Sequence, residues 1–330
     1  MKNHNDVILR WSIGSQNTQT LSSYKEDKKY IDYVWLAKLS VLSFQRWFQG
    51  ARFVLLYNGN NIDEFVKLWD NTKIDLLYDV EIINQVQHIK NGTYTNPYHF
   101  FPIGVWWKWI PFRLDINKHE IAVDTDILCV SEPLSWYDWI EGETDIVVAP
   151  ERFETIRVNT CGDLCKHPFL IGKKPANCGI VGQRKNRNHE KRFFEITKEV
   201  RFGYTHDSMF ITEQGVVNLW IYSLLEEGVS HTILDFKRNA WVRDFIYWVK
   251  NDINVETVHA VSWSKEVIRK LGQFFEKHIM NDDLHDTISR SRFMLEIMKE
   301  SSSMRDPHRT LILQQTQLGF GPTEYSLVNR

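Results

Sequence analysis

Apolar and polar positions along this chain fall into short blocks that switch between a strand period and a helix period. Residues 7 to 12 form a mostly apolar run that predicts a buried strand, a polar loop follows through Lys28, and from about Tyr30 to Phe48 apolar residues recur at helical spacing. Residues 53 to 57 predict a second strand, closed by the turn signal Asn58-Gly59-Asn60; residues 62 to 69 resume helical periodicity, and 76 to 83 read as another strand. Residues 84 to 102 are polar and aromatic, with Gly92 and Pro97, and predict a loop. An amphipathic helix is expected over 104 to 114, interrupted or entered at Pro111, leading to a short strand at Ile121, Ala122 and Val123. Apolar residues continue from Ile127 to Val130, and further strands are expected at 145 to 149, 179 to 181, 232 to 234 and 255 to 261. Helices are expected near 188 to 199, 212 to 226 and 264 to 279. Alternation of this kind predicts an α/β domain with a mainly parallel sheet, followed from about residue 266 by a polar helical extension that becomes irregular past Pro307.

Composition narrows the function classes. With 330 residues, 43% hydrophobic and 25% charged, the chain can bury a full core. Lys and Arg total 40 against 42 Asp and Glu, so no whole-chain charge points to nucleic acid or an anionic membrane, and any phosphate must be held locally. The opening apolar stretch is short and broken by Arg10, unlike a signal peptide, and no later run is long enough for a transmembrane segment; a cytoplasmic protein is the expectation. Four cysteines are too few for a disulfide framework. Cys161, Cys165 and His167 could be a zinc fragment, but the spacing is off-pattern and a fourth ligand is not evident, which favours ordinary reduced thiols. Thirteen Trp and twelve Tyr suit stacking on sugar faces, and suit a core equally well.

The clearest chemistry lies at Asp124-Thr125-Asp126, two carboxylates at the end of an apolar strand. The carboxyl edge of a parallel sheet is where open α/β folds bind ligands, and Mg²⁺ or Mn²⁺ is held by one or two carboxylates together with phosphate oxygens. A bare Asp-x-Asp also arises by chance in a chain of this length, so its surroundings decide its meaning.

Those surroundings are informative. The segment from Lys108 through Ile121-Ala122-Val123 to Asp124-Thr125-Asp126-Ile127-Leu128 resembles the metal-binding region of GT-A glycosyltransferases, particularly glycosyltransferase family eight, which includes glycogenin. Asn177-Cys178-Gly179-Ile180-Val181 looks like that family's Asn-x-Gly strand, Glu213-Gln214-Gly215-Val216-Val217-Asn218 is similar to its Asp-Gln-x-x-x-Asn segment, and the run from His259 through Ser262 to Lys265 resembles its His-x-x-Gly-x-x-Lys. The matches occur in the family's order and span about half of the chain, from roughly 105 to 265. Departures are Glu213 for the usual Asp, Ser262 for Gly, and Glu266-Val267 where Pro-Trp commonly follows the last Lys.

The resemblance implies a GT-A, Rossmann-like nucleotide-sugar-binding domain over residues 1–265, with residues 266–330 as a helical extension packed on it. It implies that Asp124, Asp126 and His259 ligate Mn²⁺ or Mg²⁺, and that Lys108 and Lys265 neutralise the diphosphate of a donor, by family a UDP-sugar. Asn177 and Gly179 would border that donor, and Glu213 and Gln214 would lie near the reactive face of the transferred sugar. Each has a plainer alternative: a core histidine at 259, a turn Asn at 177, and at 213 a carboxylate that favours a helix N-terminus. The implied reaction transfers a sugar, with retention, to a glycan, protein or lipid acceptor. Rival readings are a catalytically silent GT-A domain that binds a glycan or partner, and a nucleotidyltransferase or phosphohydrolase, which the absence of a glycine-rich phosphate loop disfavours.

Overall fold

A computed structural model of the chain describes residues 3–14, 27–95, 104–203, 209–241 and 255–259. The expected helix at 264 to 279, the extension from 266 and Lys265 lie outside the described residues.

The elements run in order: β1 (Val7–Ile13), α1 (Asp27–Gln45), β2 (Arg52–Tyr57), α2 (Ile62–Asn71), β3 (Val80–Asn84), α3 (Gln85–Lys90), a 3₁₀ helix (Gly104–Trp109), β4 (His119–Val123), β5 (Ile127–Cys129) and α4 (Leu134–Glu141). They continue with β6 (Ile146–Pro150), α5 (Val158–Cys161), a second 3₁₀ turn (Gly162–Lys166), β7 (Ala176–Gln183), α6 (Glu190–Gly203), α7 (Met209–Glu226), β8 (His231–Ile233), β9 (Asn239–Trp241) and β10 (Thr257–His259).

Seven strands form the central sheet in the order β3-β2-β1-β4-β7-β6-β8, in which only β7 runs against the others. The expected mainly parallel sheet is therefore present. Its strands read as unbroken apolar runs because both faces are covered. Along β6 the side chains alternate: Val147 and Ala149 join Val41, Phe44, Phe48 and Trp136 on one side, while Ile146 and Val148 join Phe193, Val216 and Trp220 on the other. Phe193 of α6 and Trp220 of α7 are fully buried and meet edge to face at 5.5 Å. Burying rings of this size contributes about 1.5–3 kcal/mol each.

A smaller sheet, β5-β10-β9, stands beside the end of β4; β10 pairs antiparallel with β5 and parallel with β9. It brings residue 259 to residue 127, and so the late chain to the exit of β4.

Two expected elements differ. The amphipathic helix expected over 104 to 114 is a 3₁₀ helix that stops at Trp109, followed by a cis Ile110–Pro111 peptide. Proline lacks the N–H a helix needs and restricts the residue before it, which ends the helical run here. The segment is fixed by tertiary contacts instead: buried Gln85 donates to the carbonyls of Trp107 (2.6 Å) and Ile110, and buried Arg10 donates to those of Pro111 (2.7 Å) and Phe112 (3.0 Å). Arg10 is itself paired with buried Glu120 at 3.1 Å. The loop expected over 84 to 102 begins with α3, whose start is capped by Asn84 accepting from the Gln87 amide at 3.1 Å, a cap of the usual Asn type.

Candidate active site

β4 ends at Val123, and the amide of Asp124 donates to the Gly179 carbonyl of neighbouring β7 at 2.8 Å, so the strand pairing persists up to the first carboxylate. The amide of Ile127 then donates to the Asp124 carbonyl at 3.2 Å and turns the chain into β5. His259, at the end of β10, lies opposite Ile127. Its Nε2 is 3.3 Å from Asp126 Oδ1, and one ligand atom from each of Asp124, Asp126 and His259 falls within 4.8 Å of the others. Two carboxylate oxygens and an imidazole nitrogen so close together suit a divalent cation such as Mn²⁺ or Mg²⁺.

Gly179 is what lets the histidine reach this position. A Cβ there would stand 2.6 Å from His259 Cε1, 2.9 Å from Asn177 Oδ1 and 3.0 Å from Ile127 Cδ1. Only a residue without a Cβ permits so close an approach.

Lys108 enters from the 3₁₀ helix and is nearly buried. Its ammonium lies 2.8 Å from Glu213 Oε1, 3.0 Å from the Cys178 carbonyl and 3.2 Å from Asp124 Oδ1. An ammonium has three donors, and these partners use all of them. Burial acts to discharge Lys108, but Asp124, Cys178 and Glu213 more than offset it and hold the group well above its ordinary value. Burial raises Glu213, opposed by the Lys108 charge and by hydrogen bonds from Lys108 and from Trp109 Nε1 at 3.0 Å. Burial likewise raises Asp126, yet the charge and hydrogen bond of His259 bring it below the ordinary carboxylate range.

A further carboxylate belongs to the cluster. Glu151 directly follows β6 and is buried; its Oε2 accepts from Gln214 Nε2 at 2.9 Å and from Asn177 Nδ2 at 3.4 Å, and its Oε1 accepts from the Arg152 amide at 2.8 Å. Burial pushes its pKa up, and these hydrogen bonds restrain the rise. Asn177 Oδ1 accepts from the Gly179 amide at 2.8 Å, so both ends of its amide serve internal contacts. Sequence reasoning missed Glu151. The available signal was its place immediately after an apolar strand, the same place that drew attention to Asp124.

The structure thus brings Lys108, Asp124, Asp126, Asn177, Gly179, Glu213, Gln214 and His259 together at one edge of the sheet. Cys161, Cys165 and His167 form no comparable group; among the described residues the carboxylate–histidine triad alone has metal-binding proximity, and the cysteines are free.

No protein-family model and no curated protein matches the sequence. Solved structures do match in three dimensions. The bifunctional glycosyltransferase WbbM superposes with a TM-score of 0.51 at 12% identity over 89% of this chain, which spans 51% of that protein. This is the GT-A fold. The galactosyltransferase LgtC, crystallised with donor and acceptor sugar analogues, gives a TM-score of 0.47 at 12% identity, covering 81% of this chain and 95% of its own. An inositol-1-phosphate CTP transferase from T. maritima gives 0.40 at 14% identity, covering 84% and 98%. What a GT-A domain does is decided by its site rather than its architecture. Among the described residues, no helix is long and apolar enough to cross a membrane.

Proposed function

We propose that this chain is a metal-dependent glycosyltransferase, moving a sugar from a nucleotide-sugar donor, of the UDP class by its family-eight resemblance, to a glycan, protein or lipid acceptor with retention of anomeric configuration. The observation that carries the reading is the convergence of Asp124, Asp126 and His259 at the carboxyl edge of a GT-A sheet, beside two buried carboxylates and the Gln214 amide. The expected cytoplasmic location rests on the sequence alone.

Asp124, Asp126 and His259 would hold Mn²⁺ or Mg²⁺, which when bound supplies positive charge against the leaving diphosphate. Lys108 keeps the Asp124 and Glu213 carboxylates side by side; with its donors all engaged, it orients ligands rather than reaching for phosphate. Gln214 spends its Nε2 on Glu151 at 2.9 Å, which leaves its carbonyl oxygen to face the sugar as positive charge develops at the anomeric carbon. Glu151, buried and raised in pKa, is placed to accept a hydrogen bond from a hydroxyl of substrate. Among the described residues no side chain is a convincing covalent nucleophile, which favours a front-face displacement in which the departing phosphate helps take the acceptor proton.

The test is incubation with a panel of UDP-sugars, with and without Mn²⁺, following UDP release in wild type and Asp124→Ala. Metal-dependent release lost in the variant is expected. No release with any sugar, together with no Mn²⁺-dependent UDP binding, overturns the proposal in favour of a silent binding domain, and pyrophosphate release points to nucleotidyl transfer.

A further inference from the structure

Helix α4 begins without a cap of its own. Pro133 stands at the cap position with no side-chain oxygen to offer, and the first turn holds no acidic residue. The unpaired amides at a helix start need an acceptor, and their partial positive charge favours a carboxylate. That acceptor comes from a distant part of the chain. Glu256, the residue before β10, accepts from the Ser135 amide with both of its oxygens at 3.2 Å, and its Oε2 accepts from the Ser135 hydroxyl as well. Arg238 Nη1 donates to Oε1 at 3.1 Å. Glu256 is buried, and a buried carboxylate requires partners of this kind.

The backbone of the same residue is held on both sides. Its carbonyl accepts from the Val130 amide at 2.9 Å, just past the end of β5, and its amide donates to the Arg238 carbonyl at 2.6 Å, just before β9. Glu256 therefore joins α4 to both neighbours of β10. His259 follows three residues later, about 10 Å along an extended strand. β10 pairs with each neighbour only over Thr257 to His259. A slip of one residue turns every side chain of a strand to the other face, and here it would carry the imidazole away from Asp126, now 3.3 Å distant. The same slip would take the buried carboxylate from Ser135 and leave its charge without those donors, which is costly. The native register is the one that satisfies Glu256.

We propose that Glu256 is a positioning residue for the metal site: by capping α4 it sets the register of β10 and so keeps His259 facing Asp124 and Asp126. It acts through the strand rather than on the ion. The inference rests on the reading of Asp124, Asp126 and His259 as metal ligands, while the hold on the strand is testable without metal.

The experiment makes two measurements on the full chain: hydrogen exchange at 257–259 in metal-free protein, and Mn²⁺ titration by electron paramagnetic resonance with UDP present. Glu256→Gln keeps the size of the side chain but loses its charge and one acceptor oxygen. Exchange at 257–259 should quicken about tenfold, the scale of one charge-assisted hydrogen bond, with β1 and β2 unchanged. Mn²⁺ should bind about tenfold more weakly, as when a group that orients a metal ligand is altered. Ser135→Ala removes the hydroxyl and keeps the amide, so both shifts should be smaller and in the same direction. The double variant should lose less than the sum of the two, because both changes act on one contact. Wild-type Mn²⁺ affinity in folded Glu256→Gln, or fully additive losses in the double variant, overturns the proposal. If Glu256→Gln does not fold, Ser135→Ala decides: wild-type exchange at 257–259 together with wild-type Mn²⁺ affinity overturns it. Failure of wild type to bind Mn²⁺ removes the metal reading, and the exchange at 257–259 then decides whether Glu256 holds the strand.

Discussion

Gly179→Ala is the smallest change that tests how the candidate metal site is built. Ordinary carbon–carbon contact is about 3.5–4.0 Å, and the new methyl would begin 2.6 Å from His259 Cε1, an overlap of about 1 Å. Neither side yields easily. Gly179 sits within the β7 ladder, and His259 is buried on a strand paired on both sides. Overpacking of this kind costs about 1–3 kcal/mol, and the readiest relief swings the imidazole away from Asp126, now 3.3 Å distant. A displacement near 1 Å at a catalytic group costs about 10²-fold in rate, and disturbing the surroundings of a metal ligand typically weakens metal affinity about 10–100-fold. The assay is Mn²⁺ titration by electron paramagnetic resonance in the presence of UDP, with metal-free thermal melts as the control for folding. Gly179→Ala should melt a few degrees lower and bind Mn²⁺ at least about tenfold more weakly. Wild-type Mn²⁺ affinity in the alanine variant would refute the claim that the missing Cβ sets the position of His259.

Two other perturbations have a defined sign. Lys108→Met leaves Glu213 buried beside Asp124 with no cation, which should destabilise the fold by about 3–5 kcal/mol in urea titration; Lys108→Met/Glu213→Gln should recover part of the loss, and a double variant no more stable than the single would refute the pairing. His119 is buried against a cavity of about 360 Å³ at the opposite edge of the sheet, with Asp6 and Lys185 also on its lining, and its Nδ1 has no hydrogen-bond partner. Burial lowers its pKa from 6.5 to about 4. The unfolded chain therefore takes up this proton first, so stability is lost as pH falls from 6.5 toward 4. The loss is about 3 kcal/mol at most, reduced by water in the cavity. His119→Asn should flatten that part of the pH–stability profile, and an unchanged slope would refute the assignment.

The strands and helices of the sheet were legible because their periods are set locally: β1, β2 and β4 are apolar runs, and α7 is an apolar helix, near where the spacing places them. The 3₁₀ helix at Gly104–Trp109 was not legible as such, since it is held by Arg10 and Gln85, donors 101 and 22 residues away from their acceptors at Pro111 and Trp107. Nor could spacing show that β7 is reversed, because its direction is set by the connection over 151–175, which returns the chain at the end of the sheet where β6 leaves it. At the site, Asp124, Asp126 and His259 were found from motifs. Glu151 was passed over because its surroundings, Gln214 and Asn177, lie 63 and 26 residues away. The engagement of all three Lys108 donors, likewise, exists only in the folded chain.

The pairing of β10 with β5 has a consequence for the order in which the molecule is completed. Asp126 and His259 are 133 residues apart, yet they meet at the end of a sheet whose strands are three residues long. Closing so long a loop has an entropic cost that few ladder hydrogen bonds offset, so this small sheet should form late and open early. A cation held by all three ligands would bind the closed form alone, and mass action would then stabilise the docking of the late strand. Hydrogen exchange at 257–259 would slow when Mn²⁺ is added while exchange in β1 and β2 stayed the same. The ion would then act as a clasp joining the early chain to the late one, as well as a partner for phosphate.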